Sequence, residues 1–163
     1  KAGAEEAIWV WNPWQAGTAA DYFPGKAYVD WLGVDVLDYD RYNPDKRSHS
    51  FESIYRPFHE LPLFQSGIPV MIAEAGSLSA KRKEWFRTAQ QVMDTAFPEI
   101  RSLIVFNNKY DHYYPEGYHE EPLDWWVPID NSIRAGQDLN VPAPLTLGAH
   151  QHVTKRKLPG TAG

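Results

Sequence analysis

Apolar residues along this chain cluster into four short runs, at 7–11, 29–37, 69–74 and 102–106. Each is rich in Val, Ile, Leu or aromatic residues and is bounded by Pro, Asn or Asp, which predicts β-strands. The third run, Val70, Met71, Ile72 and Ala73, has no alternating polar residues and so suits a parallel strand covered on both faces. Helical periods separate the later runs. Phe51, Ile54, Tyr55, Phe58 and Leu61 keep a helix period up to Pro62. Residues 79–97 carry an apolar stripe of Trp85, Phe86, Ala89, Val92, Met93 and Ala96, with Ser79 as the expected N-cap and Pro98 as the stop. A last short helix is expected from about 131 to 139. Strand alternating with helix predicts βα units on a parallel sheet. The segment 109–128 reads as a long loop rich in Tyr, Trp, Glu and His, and 141 onward as an extended tail.

The ends of the predicted strands carry the chemistry. They are Asn12-Pro13-Trp14, Asp38-Tyr39, Glu74 and Asn107-Asn108, and in a parallel sheet they share one rim. Glu74 stands out, because an ionised carboxylate closing an apolar strand needs water, donors or a partner. Read alone, such a Glu equally suits a cap or a salt bridge. If Glu74 points into an open mouth, strict alternation puts Ile72 and Val70 below it and turns Met71 and Ala73 toward the helices. Asp35 is the second polar group expected there, with a buried hydrogen-bonding role as its alternative.

Composition narrows the partners. Hydrophobic residues at 43% and charged residues at 23% are those of a globular domain, and no apolar run spans a bilayer. Lys155, Arg156 and Lys157 follow position 140 and none of the 21 acidic residues does, so the net charge of −5 joins an acidic body to a basic tail. An acidic body argues against nucleic acid as the main partner. With no Cys, thiolate metal sites and disulfides are excluded. Seven Trp and nine Tyr, many beside Asn, Asp or Pro, suit surfaces that are part dry and part wet, including clefts for sugar rings. No phosphate-binding glycine motif is present, and His112, Glu116, His119 and Glu120 are too loosely spaced to predict a metal centre. No cofactor is expected.

Ordered pieces of the chain resemble the C-terminal half of a glycoside hydrolase family 26 barrel, the family of retaining β-mannanases and related β-glucanases. They are Trp9-Val-Trp-Asn-Pro13, Tyr22-Phe-Pro-Gly25, Tyr28-Val-Asp-Trp-Leu-Gly-Val-Asp35, Pro69-Val-Met-Ile-Ala-Glu-Ala-Gly-Ser77, Phe97-Pro, Val105-Phe-Asn107 and Asp124-Trp-Trp-Val-Pro-Ile-Asp130-Asn-Ser. The resemblance implies an α/β fold: strands 5–8 of a (β/α)8 barrel, with a half-barrel over 1–140 and an extended basic tail over 141–163. It implies that Glu74 is the nucleophile. Trp11, Asn12, Asp35, Tyr39, Tyr42, Asn107, Trp125 and Trp126 are then expected to hold an oligo- or polysaccharide, with extracytoplasmic action.

The chain departs from the pattern twice. The general acid/base belongs to a fourth strand, and nothing before Ile8 supplies it; His59-Glu60 has the letters but falls in a predicted helix, as a surface pair. Leu37 occupies the place of a Tyr that holds the nucleophile. Tyr39 keeps the same parity one pleat on and reaches in only if the strand end curls, while a nearby Asp38 would raise the nucleophile's pKa. Four strands cut from a barrel leave two edges and a bare face, so a partner is expected: the N-terminal half-barrel, from this or another chain, or a second copy. The abrupt start at Lys1 suits an excised C-terminal piece. The alternatives to a hydrolase are a non-catalytic glycan-binding module of polysaccharide synthesis or export, and a structural half-barrel that serves as an assembly surface.

Overall fold

The computed structural model describes residues 7–128; the helix expected over 131–139 and the tail from 141 lie outside them. Strands β1 (Val10–Trp11), β2 (Trp31–Asp38), β3 (Val70–Ser77) and β4 (Ile100–Val105) form one parallel sheet in that order. Helix α1 (Ala16–Tyr22) follows β1, α2 (Phe51–His59) follows β2, and α3 (Arg82–Ala96) joins β3 to β4. The protein is therefore α/β with a parallel sheet. Among the described residues no helix is long and apolar enough to cross a membrane.

The core lies on one face of the sheet. Leu32, Val34 and Val36 of β2 and Val70, Ile72 and Ala75 of β3 are fully buried against Phe51, Tyr55 and Phe58 of α2 and Trp85 and Ala89 of α3. Burial of this kind stabilises by roughly 25 cal/mol per Å2 of apolar surface. Helix α2 is capped by Ser50, whose Oγ accepts the Ser53 amide proton at 3.1 Å. Helix α3 starts two residues later than expected. Its N-cap is Lys81, without a side-chain cap bond, and Ser79 lies in the turn before it. Ala96 is exposed, so the stripe narrows to its more buried members.

Alternation fails at one place in β3. Val34 pairs with Ile72 but Asp35 pairs with Glu74, so Ala73 is an extra residue, a β-bulge. Val70 and Ile72 consequently face the helices, not the mouth, and the expected parity is reversed. Across the bulge Glu74 still comes out on the other face, which no helix among the described residues covers (the bare face), with Met71, Gly33 and Asp35, while Ala75 returns to the core.

Two further elements differ from the sequence reading. Helix α1 replaces an expected connection, burying only Ala19. The predicted loop over 109–128 contains a hairpin, β5 (Asp111–Tyr114) paired antiparallel with β6 (Gly117–Leu123). Gly117, at φ +125°, makes its tight turn.

Candidate functional site

At the C-terminal ends of β2 and β3 the bare face of the sheet carries Asp35 and Glu74 side by side, register partners across the two strands. Asn12, just past β1, donates its Nδ2 proton to the Asp35 Oδ1 at 2.9 Å. It can cross β2 to do so because position 33 is glycine: a Cβ there would stand 2.9 Å from the Asn12 Cβ. Tyr39 follows the last residue of β2, where the chain leaves the strand (φ −77°, ψ 0°) and enters a 3-10 turn. That bend brings its ring into the same group as Glu74.

The fourth wall is a segment that sequence reasoning left in a loop. Residues 124–127 pass over the end of the sheet and are held at several points. The Trp125 amide donates to the Asn108 carbonyl at 2.8 Å. Asn107 makes a reciprocal pair with Val127, accepting its amide proton at 3.0 Å and donating to its carbonyl at 3.3 Å. The Arg82 Nη1 donates to the carbonyls of Asp124 at 2.9 Å and Trp126 at 3.0 Å. Trp125 is fully buried. Its ring packs edge-on against Tyr39, with centroids 4.9 Å apart, and lies so close to β3 that a Cβ on Gly76 would meet its Cε3 at 2.9 Å. The indole Nε1 donates to the Asp111 Oδ2 at 2.8 Å.

Three carboxylates thus share the site: Asp35, Glu74 and Asp111. Partial burial, then the negative charge of Asp35 and of Asp111, push the Glu74 carboxyl above the usual glutamate range. The Tyr39 phenol is pushed up to about 12 by burial first, then by Asp111, Glu74 and Asp35, so it keeps its proton and remains a donor. Among the described residues no hydrogen bond reaches the Glu74 carboxylate.

Of the residues singled out in the sequence, Glu74, Asp35, Asn12, Tyr39 and Trp125 come together. Trp11 does not. It pairs with helix-facing Leu32 and packs edge-on against Phe23 at 5.2 Å, on the core side of the sheet. Tyr42 leans on Tyr114 of the hairpin at 4.9 Å and accepts a hydrogen bond from Arg41 at 2.7 Å. Trp126 is 44% exposed, with the Lys109 ammonium 4.5 Å from its ring centre. Asn107 spends its amide on Val127. His59 lies toward the opposite end of the sheet, bonded through Nδ1 to the Glu99 Oε1 at 2.7 Å just before β4, and it is half-buried rather than a surface group. His112 instead bonds the His119 carbonyl at 2.9 Å, and Glu116 pairs with Lys46 at 3.5 Å.

Asp38 also departs from expectation. It points to the helix side and is fully buried. It accepts five hydrogen bonds: from the Asp40 and His49 amides, the Asn43 Nδ2 and the Ser48 and Ser77 hydroxyls. It is not among the charges that act on Glu74. Asp111 was missed. It opens a strand of the hairpin, and its contact with Trp125 spans 14 positions with no local signal in the sequence.

A search among curated proteins finds no match to the chain. The sequence model of glycosyl hydrolase family 26 matches residues 1–95, more than half of the 163 and including Asn12, Asp35 and Glu74, and the chain therefore belongs to that family.

Proposed function

We propose that Glu74 is the nucleophile of a retaining β-glycanase acting on β-mannan or β-glucan. One observation carries this reading: Glu74 is the strand-end carboxylate that turns to the bare face, beside Asp35 and a Tyr39 hydroxyl that keeps its proton. In such enzymes one carboxylate attacks the anomeric carbon while a second, about 5–5.5 Å away, protonates the leaving oxygen. Asp35, Tyr39 and Asn12 shape the subsite around the scissile bond, and the exposed Trp126 supplies an outlying apolar surface.

The four-stranded sheet is then strands 5–8 of a (β/α)8 barrel, in a half-barrel over 1–140 followed by a basic tail over 141–163. Its support is the face left uncovered by the described residues and the apolar residues exposed at both edges, Ile8, Trp9 and Val10 at β1 and Ile104 on β4. The N-terminal half-barrel supplies the acid/base. It also supplies hydrogen-bond donors that draw Glu74 back toward ionisation, which a nucleophile needs. A polymeric substrate supports extracytoplasmic action.

The test uses the protein with its N-terminal half-barrel. A 2-fluoro-glycosyl fluoride should form a covalent ester on Glu74, visible as a mass shift on the peptide that holds it. Glu74→Gln should lower turnover by on the order of 1000-fold or more while oligosaccharide binding persists. Unchanged hydrolysis by Glu74→Gln dismisses the assignment.

A second reading, a non-catalytic glycan-binding module, is favoured by Leu37, whose Cδ2 would stand 3.3 Å from a Cβ on Gly76 on the same face as Glu74. An apolar side chain there donates nothing to a carboxylate. Calorimetry with mannan and glucan oligomers separates the two: binding without cleavage selects the module.

A further inference from the structure

Asp111 sits where a negative charge is costly, since Asp35 and Glu74 already crowd the same site and each addition makes Glu74 harder to ionise. The carboxylate has two further links. Its Oδ1 accepts the Tyr113 amide proton at 3.0 Å, which pins it to the base of the hairpin, and its Oδ2 takes the indole proton at 2.8 Å. The indole in turn is wedged on Gly76, two residues beyond Glu74, and carries the Tyr39 ring against its edge. A chain of contacts therefore runs from the hairpin through Asp111 and Trp125 to the phenol that faces Glu74.

We propose that Asp111 is a positioning residue for the reaction at Glu74: by holding the Trp125 indole it fixes the surface on which the Tyr39 ring rests, and so where that hydroxyl stands relative to the nucleophile. This rests on Glu74 being the nucleophile. The carboxylate acts through Trp125 and does not touch the sugar. Because a charge-assisted bond to the indole is stronger than a neutral one, it holds the ring more firmly than an amide would.

The test is a cycle of variants in the complete protein, assayed on mannan and glucan oligosaccharides. Asp111→Ala should lower kcat roughly 10- to 100-fold, the scale set by sub-ångström to 1 Å misplacement, with KM nearly unchanged. Asp111→Asn should recover most of that loss, since its amide oxygen still accepts the indole proton. Trp125→Phe, which keeps a ring but removes the N–H, should cost about as much as Asp111→Ala, and the double variant no more than either alone. Multiplying losses in the double variant, or an Asn variant as slow as the Ala one, overturns the proposal.

A readout independent of turnover is the Trp125 indole N–H resonance, assigned by its disappearance in Trp125→Phe. It should shift and exchange faster with solvent in Asp111→Ala but not in Asp111→Asn. Turnover by the wild-type protein with an indole signal unmoved in Asp111→Ala refutes the role of Asp111 alone. A wild-type protein with neither turnover nor labelling of Glu74 refutes the nucleophile reading, and with it any role of Asp111 in the reaction.

Discussion

The C-terminal halves of β2 and β3 carry carboxylates on opposite faces of the sheet, and the two faces treat them in opposite ways. On the helix-covered side Asp38 is fully buried and accepts five hydrogen bonds, from the 3-10 turn, the loop before α2 and the last residue of β3. On the bare side Glu74 is half-buried, receives no hydrogen bond from the described residues, and faces two further acids. Burial of a charge is tolerated in the first case because every lone pair is matched. In the second the charge is left uncompensated and its pKa displaced. Perturbed groups of that kind cluster where chemistry is done, whereas satisfied ones hold structure together. Strand-end position alone does not separate the two; the face does.

The sharpest way to break the comparison is to remove the satisfied carboxylate. Asp38→Ala strands two hydroxyls, an amide side chain and two backbone N–H groups, and should lower stability by about 3 kcal/mol or more in chemical denaturation. A loss below about 1 kcal/mol would show that Asp38 does not staple the strand ends.

A smaller effect is expected from the bare face. In Gly76→Ala the new methyl meets Trp125 Cε3 at 2.9 Å and Leu37 Cδ2 at 3.3 Å, and the buried indole has nowhere to retreat. The expected cost is about 1–3 kcal/mol, together with a fall in kcat as the ring moves. A variant as stable and active as the parent would mean that Trp125 is not fixed against β3.

The mildest change concerns pH. Because the Asp35 charge raises the Glu74 pKa, Asp35→Asn should move the acid limb of kcat/KM in the complete protein to lower pH. Asp38→Asn should leave the limb in place. For stability the sign is opposite to the usual carboxylate. The Glu74 contribution is fully present below the unfolded pKa and is lost as pH rises through the folded one. An acid limb that ignores Asp35→Asn would remove Asp35 from the neighbourhood of the nucleophile.

Much of the fold was legible because burial writes itself into composition. The runs at 29–37 and 69–74 became strands, since Leu32, Val34, Val36, Val70 and Ile72 have no other place to go, and the period of Phe51, Ile54, Tyr55 and Phe58 marked α2. Helix α1 was invisible because it buries a single alanine and leaves no stripe. The hairpin was invisible for a related reason: β6 is exposed at every position before Leu123, so no alternation of apolar and polar residues marks it. In the site, Glu74, Asp35 and Asn12 were legible from strand-end position and the family pattern. Trp11 was misplaced because an aromatic residue near a strand end does not reveal its face; pairing with Leu32 does. Trp125 looked like a surface for sugar and is instead a buried wall.

The extra residue at Ala73 has a consequence for how this strand can change over time. It acts as a shift in reading frame: upstream of it, odd and even positions are assigned to bare face and core in one order, downstream in the other. Inserting one further residue there would swing Glu74 inward, into grease meant for Ala75, and push Ala75 out. The lower half of β3 can therefore be rewritten for packing, and the upper half for chemistry, only while that hinge of registration is kept.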